Sequence, residues 1–277
     1  MSPTLFTIDR GAGPPVLLIH GQPGTGSSWL PVIDELADEF RVLAPDRIGN
    51  GRSPGEGGGL GENAAALASF LEDNEASPAT VVGHSWGGGV AILLASRYRS
   101  LVRSLVLVGS VGTADTVSGL DRLLATHGVG DALTVAGLGV MGGVLPRIRR
   151  LTPRLPNGAG QYLEAILPDE GLSDGLPGAW GRTKRTFVIE QRALLDELED
   201  TQQATTEVDV PTSVVIGEWD LVVPPQSADT LAQAIGGAEL VRLPRIGHFV
   251  PRDAAGALAE IIRTTDARAG SRPVRSP

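Results

Sequence analysis

The chain has 277 residues, ample for one α/β core carrying an insertion. Hydrophobic residues make up 42% and charged residues 20%, a globular composition rather than a disordered one. The formal net charge of −9 leaves no electrostatic footprint for nucleic acid, and the absence of cysteine excludes disulfides, thiolate catalysis and cysteine-ligated metal.

In chain order, the first apolar run, Val16 to Ile19, is short, follows Asp9 and Arg10, and reads as a buried strand rather than a signal peptide. A helix is expected around Ser28 to Asp38, then a strand near Val42-Leu43 ending at Pro45-Asp46, then a helix around Asn63 to Glu72. Thr80-Val81-Val82 predicts a strand, Gly87 to Tyr98 a helix, and Leu105 to Val108 a strand ending at Gly109. This alternation is the rhythm of a parallel sheet covered on both faces. It breaks from about Val111 to Val208, where glycine, proline and amphipathic helical segments dominate. The rhythm returns with a strand at Ser213 to Ile216, a helix near Ser227 to Ile235, a strand at Glu239 to Leu243 and a last helix from Asp253.

The expected organisation is therefore a core over 1–112, a helical cap insertion over 113–205, a second part of the core over 206–266 and a flexible tail over 267–277. Such a cap would rest over the carboxyl edge of the sheet, where open α/β sheets place their ligands. Within it, Ala132 to Leu145 is apolar, uncharged and glycine-rich, but shorter than the roughly 20 residues of a bilayer span. It reads as a buried or pocket-covering helix, and no membrane span is expected. The polar tail after Thr265 reads as frayed.

Four segments carry chemistry. Gly83-His84-Ser85-Trp86-Gly87 lies between a strand and a helix, the setting of a nucleophile elbow with Ser85 as nucleophile. The turn is tight, so residues two positions either side of the serine must be small. His20-Gly21-Gln22-Pro23-Gly24 follows the first clear strand and would supply one oxyanion donor, the backbone N–H of Gln22. Trp86 would supply the other, and His20 is expected to orient the loop through hydrogen bonds. Gly247-His248-Phe249 places His248 on a late loop as general base. Gly217-Glu218-Trp219-Asp220 follows the strand after the insertion, and Asp220, ahead of its rival Glu218, completes the chain order serine, acid, histidine. Trp29, Trp86, Trp180, Val222, Val223 and Phe249 are candidates for an apolar substrate pocket, with core packing the alternative. Asp46 and Arg47, before Gly49, Gly51 and Ser53, read as loop architecture. No cluster of His, Asp and Glu has metal-ligand spacing, and no phosphate-cradling glycine loop is present.

Together, HGQPG, PDRIGNGRS (Pro45 to Ser53), GHSWGG, GEWD and GHF resemble the α/β-hydrolase superfamily in core order from Val16 to about Ile262. The resemblance implies a mostly parallel eight-stranded sheet with helices on both faces, a cap and a cofactor-free serine mechanism. HGQPG with GHSWGG is similar to prolyl iminopeptidases, although Gln22 replaces the usual glycine. The HG-x-P loop is also similar to epoxide hydrolases and haloalkane dehalogenases, which use an aspartate nucleophile where this chain has Ser85. The expected activity is hydrolysis of a small to medium hydrophobic carboxylic ester through an acyl-enzyme. C–C bond hydrolysis, perhydrolysis or aminoacyl cleavage by the same triad, and a ligand receptor with little turnover, are the alternatives. A cysteine-free chain suits a cytoplasmic setting, with a hydrophobic small molecule as its partner.

Overall fold

The computed structural model describes residues 4–144, 147–148 and 179–270. The amino-terminal part runs β1 (Thr7–Arg10), β2 (Pro15–Ile19), α1 (Leu30–Leu36), β3 (Arg41–Pro45), α2 (Leu60–Asp73), β4 (Ala79–His84), α3 (Trp86–Arg97) and β5 (Val102–Val108). Among the described residues that follow are α4 (Gly119–Leu124), α5 (Val129–Gly143), α6 (Ala179–Asp196) and α7 (Leu198–Thr205). The chain then closes with β6 (Thr212–Gly217), α8 (Ser227–Ala234), β7 (Glu239–Leu243), α9 (Val250–Asp253) and α10 (Ala255–Gly270).

The seven strands form one sheet in the order β1-β3-β2-β4-β5-β6-β7. Only the β1–β3 pair is antiparallel among them. Valine, isoleucine and leucine run along the central strands without a polar alternation because both faces are covered. Leu17, Ile19, Val81, Leu105, Leu107, Val214 and Ile216 pack toward α2 and α3. Their neighbours Val16, Leu18, Val82, Val106, Val108 and Val215 pack toward α1 and α10. The chain leaves β2 toward β3 on one side and returns to β4 on the other. The β2 and β4 carboxyl ends therefore flank the topological switch point, where open α/β sheets place their ligands.

Backbone approaches at this point are very close. A Cβ on Gly83 would lie 2.5 Å from the carbonyl oxygen of Gly87, and one on Gly87 would lie 2.5 Å from the carbonyl oxygens of both Ile19 and His20. The amino end of α3 thus sits directly on the ends of β2 and β4, which is the room the paired glycines of the elbow provide.

Several expectations change. The sheet has seven described strands rather than eight, and β1 escaped prediction because an edge strand reading Thr-Ile-Asp-Arg, with no buried residue, carries no apolar run. The helix expected from Ser28 begins as a 3₁₀ turn, Gly26–Trp29, and becomes α1 beyond it, with proline in its first turn. The expected frayed tail is helical to Gly270. Asp266 accepts a hydrogen bond from Thr80 Oγ1 at 2.7 Å and pairs with Arg103 at 2.8 Å, which fastens this end to the sheet. Residues 271–277 of the expected tail lie outside the described residues. The apolar stretch from Ala132 forms part of α5, where Leu138 is buried but Leu133, Val135 and Val140 are exposed. A wholly buried helix is therefore not what its described part shows. Among the described residues, no helix is long and apolar enough to cross a membrane.

Two glycines make opposite predictions. Gly83→Ala should lower the denaturation free energy by about 1–3 kcal/mol, the usual cost of overpacking, because backbone atoms leave no room for a methyl group. Gly137→Ala, in α5 with nothing within 4 Å of the added carbon, should raise it by up to about 1 kcal/mol through helix propensity. Urea midpoints of the two variants check both signs.

Candidate active site

Ser85 follows β4 and caps α3 with φ 54° and ψ −122°. A non-glycine residue in this region is strained, and the surrounding structure must hold it there. Three backbone bonds do so. Its N–H donates to Val108 O at 2.9 Å, and its carbonyl accepts from Gly88 and Val111. The serine is buried apart from 7% of its surface.

Asp220 follows β6 and His248 follows β7, at the same edge of the sheet. His248 Nδ1 and Asp220 Oδ2 are 2.8 Å apart. The second oxygen of Asp220, Oδ1, accepts from the N–H groups of Val222 and Val223 at 2.8 and 2.9 Å. One carboxylate oxygen is thus occupied by backbone and the other by the imidazole, so Nδ1 is the donor and Nε2 faces the remaining direction. Gly109, at φ 48°, closes over this pair. A Cβ there would lie 3.1 Å from Asp220 Oδ2 and 3.3 Å from His248 Nδ1. The rival Glu218 is exposed.

The loop after β2 lies against the serine. A Cβ on Gly21 would meet Ser85 Cβ at 2.9 Å, so only glycine allows this approach. His20 holds the loop as expected. Its Nδ1–H donates to Gly21 O at 2.8 Å, while Nε2 accepts from Arg47 N–H at 3.0 Å. Burial, and next the Arg47 charge, hold its pKa well below the ordinary 6.5, which keeps the ring neutral and this tautomer in place. Trp86 is the first residue of α3, so its N–H has no partner inside the helix. Gln22 sends its side chain away, donating from Nε2 to Phe187 O on α6 at 2.8 Å.

Of the pocket candidates, Phe249 is half-buried and its ring stands edge-on to His248, centroids 5.7 Å apart. Val222 is 54% exposed beside Asp220. Val223 and Trp29 are buried in the core, on opposite faces of the sheet. Trp29 stands edge-on to the His84 ring, centroids 6.2 Å apart. The Trp86 side chain is also buried, and Nε1–H donates to Glu190 O at 3.1 Å, so it fills a joint rather than lining an open pocket. Trp180 opens α6, but its side chain lies outside the described residues.

Three residues were missed as site residues. Arg47, read as loop architecture, is fully buried and ion-paired with Glu190 of α6, which is equally buried. Asp46 beside it does act as loop architecture, accepting from Gly26 and Arg52 N–H at 2.7 and 2.9 Å. The third is His84. Its Nε2–H donates to the backbone carbonyl of His248 at 2.9 Å, and the two rings lie 4.8 Å apart. A cation inside PDRIGNGRS and a histidine inside the elbow were visible signals. Nothing local marks Glu190, whose partner is 143 residues away.

His84 generates a pH prediction. Burial, and then the neighbouring His248 ring, lower its pKa to about 3 from 6.5. The folded protein keeps it neutral while the unfolded chain protonates it below pH 6.5. Stability is therefore intact above pH 6.5 and declines as pH falls toward 3, with His20 acting in the same direction. His84→Asn should flatten the fall of Tm between pH 6.5 and 4. An unchanged slope would mean that His84 titrates near its ordinary value.

Residues 14–254 match the alpha/beta hydrolase fold family. The 2-hydroxy-6-oxo-2,4-heptadienoate hydrolase of Pseudomonas putida is 28% identical over 249 residues, 87% of this chain and 85% of that protein. Haloalkane dehalogenase 2 of Mycobacterium tuberculosis is 27% identical over 267 residues, 92% of this chain and 88% of its own length. A thermophilic esterase from Thermogutta terrifontis superposes with a TM-score of 0.68 at 25% identity, covering 96% of this chain and 93% of the esterase. With the matched segment spanning both parts of the sheet and the helices between them, the chain belongs to the alpha/beta hydrolase fold family and is a hydrolase.

Proposed function

We propose that the protein cleaves a small to medium hydrophobic carboxylic ester, with Ser85 as nucleophile, His248 as general base and Asp220 as its orienting acid. The observation that carries this reading is the His248–Asp220 contact at 2.8 Å, at the same edge of the sheet as a serine held at φ 54°. His248 Nε2 takes the serine proton as Oγ attacks the ester carbonyl. Asp220 keeps the proton on Nδ1 and stabilises the imidazolium. The negative charge that forms on the carbonyl oxygen is met by the N–H groups of Gln22 and Trp86, each such donor contributing about 2.7–4 kcal/mol. Collapse expels the alcohol, which takes its proton from His248, and a water activated by the same ring then releases the acid. The helices between β5 and β6 form the cap in this reading. Leu221 and Val222, both exposed directly after Asp220, and the half-buried Phe249 supply the apolar surface that suits a hydrophobic acyl or alkyl group.

A second reading keeps the triad and changes the bond. A 2-hydroxy-6-oxodienoate has no ester or amide, so its hydrolysis breaks a C–C bond beside the ketone. The Pseudomonas putida relative favours this reaction. Dehalogenation is disfavoured, since Ser85 occupies the position where the dehalogenase pattern has an aspartate.

Fluorophosphonate labelling should mark the parent protein and spare Ser85→Ala and His248→Ala, while Asp220→Asn should lose about 10⁴-fold in kcat. A chromogenic hydrophobic ester and a vinylogous diketone, assayed in parallel, separate the two bonds. A folded parent that resists labelling and turns over neither substrate would overturn the serine reading.

A further inference from the structure

We propose that the buried Arg47–Glu190 pair is a positioning device for the oxyanion hole, so that one turn of α6 is part of the machinery that stabilises the transition state. This rests on the reading of Ser85 as nucleophile.

The argument begins with a peptide plane. The oxyanion donor assigned to Gln22 is the N–H of the Gly21–Gln22 peptide, which is trans. In a trans peptide the N–H and C=O point in opposite directions, so holding the Gly21 oxygen aims the Gln22 N–H. That oxygen is held twice, by His20 Nδ1–H at 2.8 Å and by Arg47 Nη2 at 3.1 Å. The second donor is charged, and a cation on the carbonyl also polarises the peptide and strengthens its N–H as a donor.

Arg47 is in turn fixed from α6. Its Nη1 donates to Glu190 Oε1 and its Nη2 lies 3.3 Å from Oε2, a two-pronged pair with no solvent exposure on either side chain. Nε donates to His20 O at 3.0 Å, and Asn50 Nδ2 adds a bond to Glu190 Oε1 at 3.0 Å. The guanidinium also lies over the Trp86 ring, 4.3 Å from its centroid, while Trp86 Nε1–H donates to the backbone oxygen of Glu190. Trp86 carries the second oxyanion donor. Both halves of the hole therefore lean on Glu190, one through its carboxylate and Arg47, the other through its carbonyl and the indole. Gln22 Nε2 on Phe187 O adds a third tie to the same helical turn.

A simple anchor for the helices would not need this arrangement. Two charges removed from water are no more stabilising than apolar residues of similar volume, and often less so. What the pair supplies that leucine and methionine would not is a directed, charged donor on the Gly21 carbonyl.

Two variants test this, read against the parent under identical conditions. Glu190→Gln keeps shape and removes one charge. Arg47→Met combined with Glu190→Leu removes both and leaves no unpaired charge in the interior. In the double variant, folded by its near-UV signal and Tm, kcat on the ester should fall about 10–100-fold, below the 10²–10³ of losing a donor outright. KM should stay within about twofold, while the affinity of a trifluoromethyl ketone and the rate of fluorophosphonate labelling fall in parallel with kcat. Glu190→Gln should show the same pattern, smaller. A folded variant that keeps its kcat and ketone affinity, or that changes only KM, overturns the inference and makes the pair a structural anchor. Those results leave the parent's own labelling intact, so they do not touch the serine reading. A parent that neither labels nor turns over overturns both.

Discussion

The candidate site depends on how closely three stretches of backbone approach at the switch point of the sheet. Gly83 meets the carbonyl of Gly87, Gly87 meets the carbonyls of Ile19 and His20, and Gly21 meets Ser85 Cβ. Any side chain at these positions would push α3 off the sheet or the β2 loop off the serine. The positive φ of Ser85 is the other face of the same constraint. The turn from strand to helix is too sharp for ordinary backbone, and the bonds to Val108, Gly88 and Val111 hold it. Once this knot is tied, Gly109, with its positive φ, lets the Asp220–His248 pair lie close against the end of β5 at the same edge.

A second layer of the structure buries two imidazoles and a guanidinium beside the candidate site. His20 and His84 are kept neutral by burial, each fixed in one tautomer by a bond to a backbone carbonyl. Neutral rings can sit beside Arg47 and His248 without adding positive charge next to either. In the interior Arg47 is paired with Glu190, and the carbonyls of His20 and Gly21 accept from its Nε and Nη2. Truncating one partner would strand the other, at a cost of about 3–5 kcal/mol. The double substitution is therefore the more informative variant.

Much of this was legible in the chain. Valine-rich runs with short turns announced a parallel sheet, and the strand Glu239–Leu243 was placed without error. Ser85, Asp220 and His248 could be named because each follows a strand of the parallel sheet and so must emerge at one edge. The misplacements have physical causes. β1 is an edge strand with too little apolar surface to register. Trp29 and the Trp86 indole were offered to substrate because an aromatic beside a site looks the same in sequence whether it faces a cavity or a core. The tail beyond Thr265 looked frayed because its polar residues pair with the sheet, through Asp266 and Arg268, rather than with water.

The sequence by itself determined the sheet, the elbow and the order of the serine, acid and histidine, since these follow from local patterns of hydrophobicity and small residues. Only the tertiary structure decided that His84 ties the elbow to the His248 loop and that Arg47 is closed off by Glu190. The reason is range. Strand period and turn chemistry act over a few residues, whereas a buried ion pair is chosen by which charged groups the fold removes from water together, here from positions 143 apart.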